Sequence, residues 1–88
     1  PKQDDNAGSL KFNSALIESI KKVDYSGNII VLSTYPGLAN AVAAGLDSIE
    51  TNEILGSVAG YDTIFIVTRG LDSSKSLSER IKILLKTV

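Results

Sequence analysis

The sequence predicts an α+β domain: a two-layer β-β-α-β-β-α arrangement with a four-stranded, antiparallel-rich sheet, preceded by a short N-terminal helix. Three observations carry this. Two runs, Ile29 to Leu32 and Ile64 to Val67, are wholly apolar, as strands covered on both faces are. Each is preceded by a strand-like segment across a turn signal. Each is followed by a stretch with helical apolar spacing.

The elements follow in order. Leu10, Ala15, Leu16 and Ile20 roughly share one helical face, with Ser9 available as a cap. The helix gives way to a strand near Glu18 to Asp24. The turn "YSGN" (25–28) comes next, Gly27 supplying a positive φ and Asn28 tolerating one. "IIVLST" (29–34) is the second strand. "YPG" (35–37) breaks it and starts a helix in which Leu38, Val42, Leu46 and Ile49 form an amphipathic stripe. Ala39, Ala41, Ala43, Ala44 and Gly45 keep that helix slender, so neighbours can approach closely. "ETNE" (50–53) ends it.

"ILGSVAG" (54–60) and "TIFIVT" (63–68) are the third and fourth strands, paired antiparallel across a short bend. "RGLDSS" (69–74) reads as a loop. Ser76 and Glu79 then supply an S-x-x-E capping box. Leu77, Ile81, Leu84, Leu85 and Val88 give the clearest helical stripe in the chain.

Two helices in one layer cover one side of a sheet, yet both central strands offer apolar groups on both sides. A wet far side would expose more apolar surface than the few hundred Å² that monomers tolerate. The domain is therefore expected to oligomerise through the open face of its sheet.

Composition narrows the function. In 88 residues there are nine basic and ten acidic side chains, for a net charge of −1. Gripping a nucleic-acid backbone takes a clustered basic face, and the nearest thing to one, Lys21 and Lys22, reads as a solvated edge. The chain has no cysteine, which points to a reducing cytoplasm and away from disulfides or thiolate metal sites. It has no histidine, the usual general base and commonest metal ligand. No apolar run is long enough to span a bilayer. The polar start "PKQDDNAGS" (1–9) reads as a linker remnant ahead of a domain over 10–88.

Catalysis is not expected. "SSKS" (73–76) matches no nucleophile motif, and the carboxylates of Asp47, Glu50, Glu53 and Asp62 show no acid–base spacing beyond chance. No loop carries a Walker A or dinucleotide fingerprint. Three features suit small-molecule binding better. The "TYPG" segment leads into a helix N-terminus, a ready carboxylate site. Asn40 and Asp47 lie two turns apart on that helix and share one face. The "AGYD" bend (59–62) is glycine-lined, so a ligand can reach its backbone. Each also has a plainer reading: Asn40 as a solvated helix residue, Asp47 as a surface charge, Asp62 as a turn former.

At these residues the chain resembles the C-terminal domain of the bacterial arginine repressors. That family carries a T-x-P-G-x-A segment, a helix with L-D, then I-L-G-T-x-A-G-D-D-T-I. Here these stand as Thr34 to Ala39, Leu46-Asp47, and Ile54 to Ile64. The resemblance implies a two-domain transcription regulator whose N-terminal winged helix-turn-helix, absent from this chain, binds operator DNA. The C-terminal part would form trimers that pair into hexamers, with L-arginine bound between trimers as corepressor and no other cofactor. It also implies an arginine site at Asn40 (where a Gln is common), Asp47, the Ala59-Gly60 backbone, residue 61 and Asp62.

Residue 61 departs from the pattern. The family has Asp-Asp where this chain has Tyr61-Asp62, and the first Asp is the expected partner of the ligand guanidinium across the trimer–trimer interface. A buried guanidinium without its anion typically loses about 2–5 kcal/mol. A tyrosine ring offers a cation–π contact of about 0.5–2 kcal/mol in return. The balance implies weakened arginine binding. The alternative is a structural oligomerisation module in which Tyr61 packs in the interface and arginine is no longer sensed; a changed ligand is a third possibility.

Overall fold

The hairpin that opens the sheet turns on two residues, Gly27 and Asn28, and Gly27 takes φ 58°. In this computed structural model, which describes residues 14–47 and 52–86, the described residues form seven elements. They are α1 (Ser14–Glu18), β1 (Ile20–Ser26), β2 (Ile29–Thr34), α2 (Ala39–Asp47), β3 (Ile54–Ala59), β4 (Thr63–Thr68) and α3 (Leu71–Lys86). The sheet order is β1-β2-β4-β3 and every neighbouring pair is antiparallel. The expected α+β order and four-stranded sheet are present.

Several local expectations need correction. The first strand covers 20–26, two residues later than expected, because α1 closes on itself first. The Ser19 amide donates to the Leu16 carbonyl at 3.0 Å and the Ser19 hydroxyl to that of Ala15 at 3.0 Å. Ile20 accordingly opens a strand and is buried there, not on a helical face. The turn shrinks to two residues, and Asn28 does not take a positive φ. Its backbone carbonyl instead accepts the Thr68 amide at 2.8 Å, tying the hairpin to the end of β4.

The last correction concerns α3, which starts at Leu71, so 71–74 is helix and Ser76 is an exposed residue of the helix interior. Its start is set by the end of β4. The buried Thr68 hydroxyl meets the Gly70 carbonyl at 2.9 Å and the Ser74 hydroxyl at 2.7 Å. The Ser74 amide donates to the Gly70 carbonyl at 3.0 Å, and Asp72 places its carboxylate in the first turn, where the helix dipole favours it. The buried stripe is Ser74, Leu77, Ser78 and Ile81, with Leu84 at the exposed margin. The readings made on Ser9, Leu10, Ile49, Glu50, Thr51 and Val88 lie outside the described residues.

One core joins the layers. Ile30, Leu32, Ile64 and Ile66 point from the central strands toward Val42 and Leu46 of α2 and Leu77 and Ile81 of α3. Helix α3 lies chiefly over β1, and α2 packs against β3. In α2 the buried stripe is Ala39, Val42, Ala43 and Leu46, while Leu38 precedes the helix and is exposed. Of its small residues, Ala39, Ala43 and Gly45 are buried, while Ala41 and Ala44 are exposed.

The opposite sheet face alternates as period-two geometry requires. Val31 pairs with Phe65, and Phe65 with Val58, in one row across β2, β4 and β3. Phe65 is 51 % and Val58 72 % exposed. Ile29 and Val67 form the next row. Both faces of the central strands are therefore apolar, and only one is covered by helices.

Candidate functional site

A sharp junction lies where β2 leaves the sheet. Tyr35-Pro36-Gly37 crosses the sheet end between two anchors. On one side the Tyr35 amide donates to the Ser19 carbonyl at 3.0 Å. On the other the Gly37 amide donates to the Tyr61 carbonyl at 3.0 Å. Gly37 adopts φ 82°, a left-handed conformation that a side chain resists, so glycine is required at the joint.

The bend 60–62 is held just as firmly. The Gly60 amide donates to the Thr63 carbonyl at 2.8 Å, closing the β3–β4 connection. The Thr34 amide donates to the Asp62 carbonyl at 2.8 Å, fastening the bend to the end of β2. One Asp62 carboxylate oxygen accepts the Thr63 hydroxyl at 3.0 Å. Three backbone hydrogen bonds thus make a rigid platform of a segment otherwise free to move, which lowers the entropy lost when anything docks on it.

The six expected site residues divide between two places. Gly60, Tyr61 and Asp62 lie together on this platform, with Ala59 half-buried as the last residue of β3. Asn40 is exposed in the first turn of α2, three residues beyond Gly37, so it belongs to the same end of the domain. Asp47 is exposed at the other end of α2, seven residues on. At 1.5 Å per residue that is about 10 Å along the axis. The fold gathers five of the six at one end of the domain, and Asp47 stands apart.

The Tyr61 side chain is 71 % exposed. Its ring leans on Gly37, with Cε1 3.8 Å from the point a Cβ there would occupy. A second aromatic, Tyr35, two residues before Gly37, is 51 % exposed, and the Lys21 ammonium sits 5.6 Å above the Tyr35 ring centroid. Sequence reasoning missed this Lys21–Tyr35 pair, since no periodicity links residues 14 apart across a strand. It also missed the structural part played by Gly37, although the Pro-Gly dipeptide signals a turn.

Among the described residues, no group of three or more His, Cys, Asp and Glu is placed to hold a metal ion. No described helix is long and apolar enough to cross a membrane. The chemistry on offer is that of a recognition surface: one carboxylate, one amide, aromatic faces and accessible backbone.

A family model described as the arginine repressor C-terminal domain matches residues 16–82, which takes in the whole sheet and both site segments. Curated relatives agree. An arginine repressor of Lachnospira eligens is 40 % identical over 84 residues, covering 96 % of this chain and 56 % of the relative. One from a Thermoanaerobacter species is 44 % identical over 71 residues, covering 81 % and 47 %. One from Symbiobacterium thermophilum is 33 % identical over 86 residues, covering 98 % and 57 %. The chain spans about half the length of the curated relatives it matches.

Proposed function

Because this chain belongs to the arginine repressor family through its C-terminal domain, we propose that it is the part of the regulator that assembles and senses L-arginine. The site is Asn40, Asp47, Ala59, Gly60, Tyr61 and Asp62, and arginine is the corepressor for arginine metabolism genes. The observation that carries the reading is the junction of the "TYPG" and "AGYD" segments. It sets the Asp62 carboxylate and the α2 N-terminus, with Asn40, at one end of the domain. An amino acid has a carboxylate for the helix N-terminus and a cation for the acid. Asp47, remote within one subunit, would serve a ligand shared with another copy, in keeping with a site formed on assembly.

Assembly itself is proposed to use the open sheet face as the trimer contact, since Ile29, Phe65 and Val58 leave apolar surface there. Two trimers would pair into a hexamer. Operator DNA would be bound by a winged helix-turn-helix domain outside this chain, consistent with the balanced charge, and the regulator would act in the cytoplasm.

Tyr61 weakens arginine binding in this reading. Its ring stands where the family motif has a carboxylate, and cation–π attraction restores only part of the loss. The second reading, an assembly module that no longer senses arginine, draws on the same ring, which leans over Gly37 at the entrance to α2.

Thermal unfolding of the chain with L-arginine or L-citrulline separates the two. Citrulline keeps the shape of arginine and lacks its charge. A Tm that rises with arginine and stays put with citrulline supports sensing. A Tm unmoved by both supports the assembly module.

A further inference from the structure

Two exposed tyrosines stand at the Gly37 joint, and one of them shows what such a ring attracts there. The Lys21 ammonium lies over the face of Tyr35, 5.6 Å from the ring centroid. This is a cation–π arrangement, in which the quadrupole of the ring holds the charge. Tyr35 therefore has a cation of its own, and Tyr61 presents the second ring to a ligand. The Cε1 edge of Tyr61 rests on Gly37, and its carbonyl is held by the Gly37 amide, so the exposed ring stands in a fixed place.

A guanidinium can be read in two ways. A carboxylate reads its N–H groups through a planar fork of two hydrogen bonds, which needs a hydrogen on each nitrogen engaged. An aromatic ring reads the charge and the flat, weakly hydrated face, and needs no particular hydrogen. Position 61 offers only the second. The neighbouring acid is a poor substitute for the fork, because one oxygen of Asp62 already accepts the Thr63 hydroxyl at 3.0 Å.

We infer that Tyr61 sets the ligand class of this site: it selects a cation by face and charge, so N-methylated guanidino amino acids bind on a par with arginine. The inference rests on the reading of the site as one for L-arginine, and adds which relatives of arginine it admits. Methylation keeps the charge of a guanidinium, enlarges the apolar area that meets the ring, and removes N–H groups that only a fork would use. A carboxylate at position 61 would impose the opposite preference.

The probe is Nω,Nω-dimethyl-L-arginine, which has no N–H on one terminal nitrogen, compared with L-arginine. Both are titrated by calorimetry into the wild-type chain, Tyr61→Asp and Tyr61→Leu, with circular dichroism as a check on folding. The wild-type chain is expected to bind the two ligands within about threefold of each other, since attraction to the ring does not depend on N–H groups. Tyr61→Asp should prefer arginine by about tenfold or more, because the methyl groups block its fork. Tyr61→Leu should lose about two- to thirtyfold for both ligands alike, which measures the ring. A wild-type chain that binds arginine about tenfold more tightly than the methylated ligand overturns the inference and leaves the arginine reading standing. Equal affinities for the two ligands in Tyr61→Asp would do the same. Arginine bound by neither the wild-type chain nor Tyr61→Asp overturns the arginine reading, and the inference with it.

Discussion

Gly37 and Tyr61 are joined twice: the Gly37 amide donates to the Tyr61 carbonyl at 3.0 Å, and the Tyr61 ring rests 3.8 Å from where a Cβ at Gly37 would stand. The first contact fixes the bend to the start of α2, and the second sets where the ring lies. Residue 61 therefore acts from a fixed position, and the effect of substituting it reports on what docks there.

Replacing Gly37 by Ala tests the joint. The added Cβ meets Tyr61 at an ordinary van der Waals distance, so no steric clash is expected. The φ of 82° is the problem, and the left-handed region costs a residue with a side chain about 1–2 kcal/mol. Urea unfolding of Gly37→Ala should show a loss of that size, with the slope of the transition unchanged.

The Thr68 hydroxyl is the hub of a buried polar knot that meets Asn28, Gly70 and Ser74. Thr68→Val keeps the shape and removes the hydroxyl, leaving the Ser74 hydroxyl without that partner. Unpaired buried groups cost about 1–3 kcal/mol, and that is the destabilisation expected in chemical denaturation.

Ser78 gives the opposite expectation. Its hydroxyl is fully buried and has no hydrogen-bond partner among the described residues. Ser78→Ala removes an unsatisfied group and installs a better helix former, so stability should hold or rise by up to about 1 kcal/mol. A rise in Tm for Ser78→Ala alongside a fall for Thr68→Val would separate a bonded from an unbonded buried hydroxyl in one experiment.

Much of the architecture was legible in the chain because its signals are local. The apolar runs at 29–32 and 64–67 lie within β2 and β4, and the Pro36-Gly37 break separates β2 from α2. The start of α3 was not legible, since it depends on Thr68 reaching forward to Gly70 and Ser74 across a strand end. The plausible Ser76–Glu79 cap was overridden by that tertiary knot. The candidate site divides the same way. Residues 59–62 are adjacent in sequence and stay together, and Asn40 follows from the helix start. That Asp47 is remote from them depends on which end of α2 meets the bend, which helical spacing alone does not encode.

The central claim is that Tyr61 stands in for a carboxylate in a site that reads arginine. Titration calorimetry of L-arginine into the wild-type chain and into Tyr61→Asp tests it most directly. Restoring the acid recovers about 2–5 kcal/mol of charge pairing and gives up about 0.5–2 kcal/mol of cation–π attraction. The account predicts that both chains bind and that the variant binds more tightly, by about fortyfold at the middle of these ranges. Equal affinities, or no binding by either chain, would contradict it.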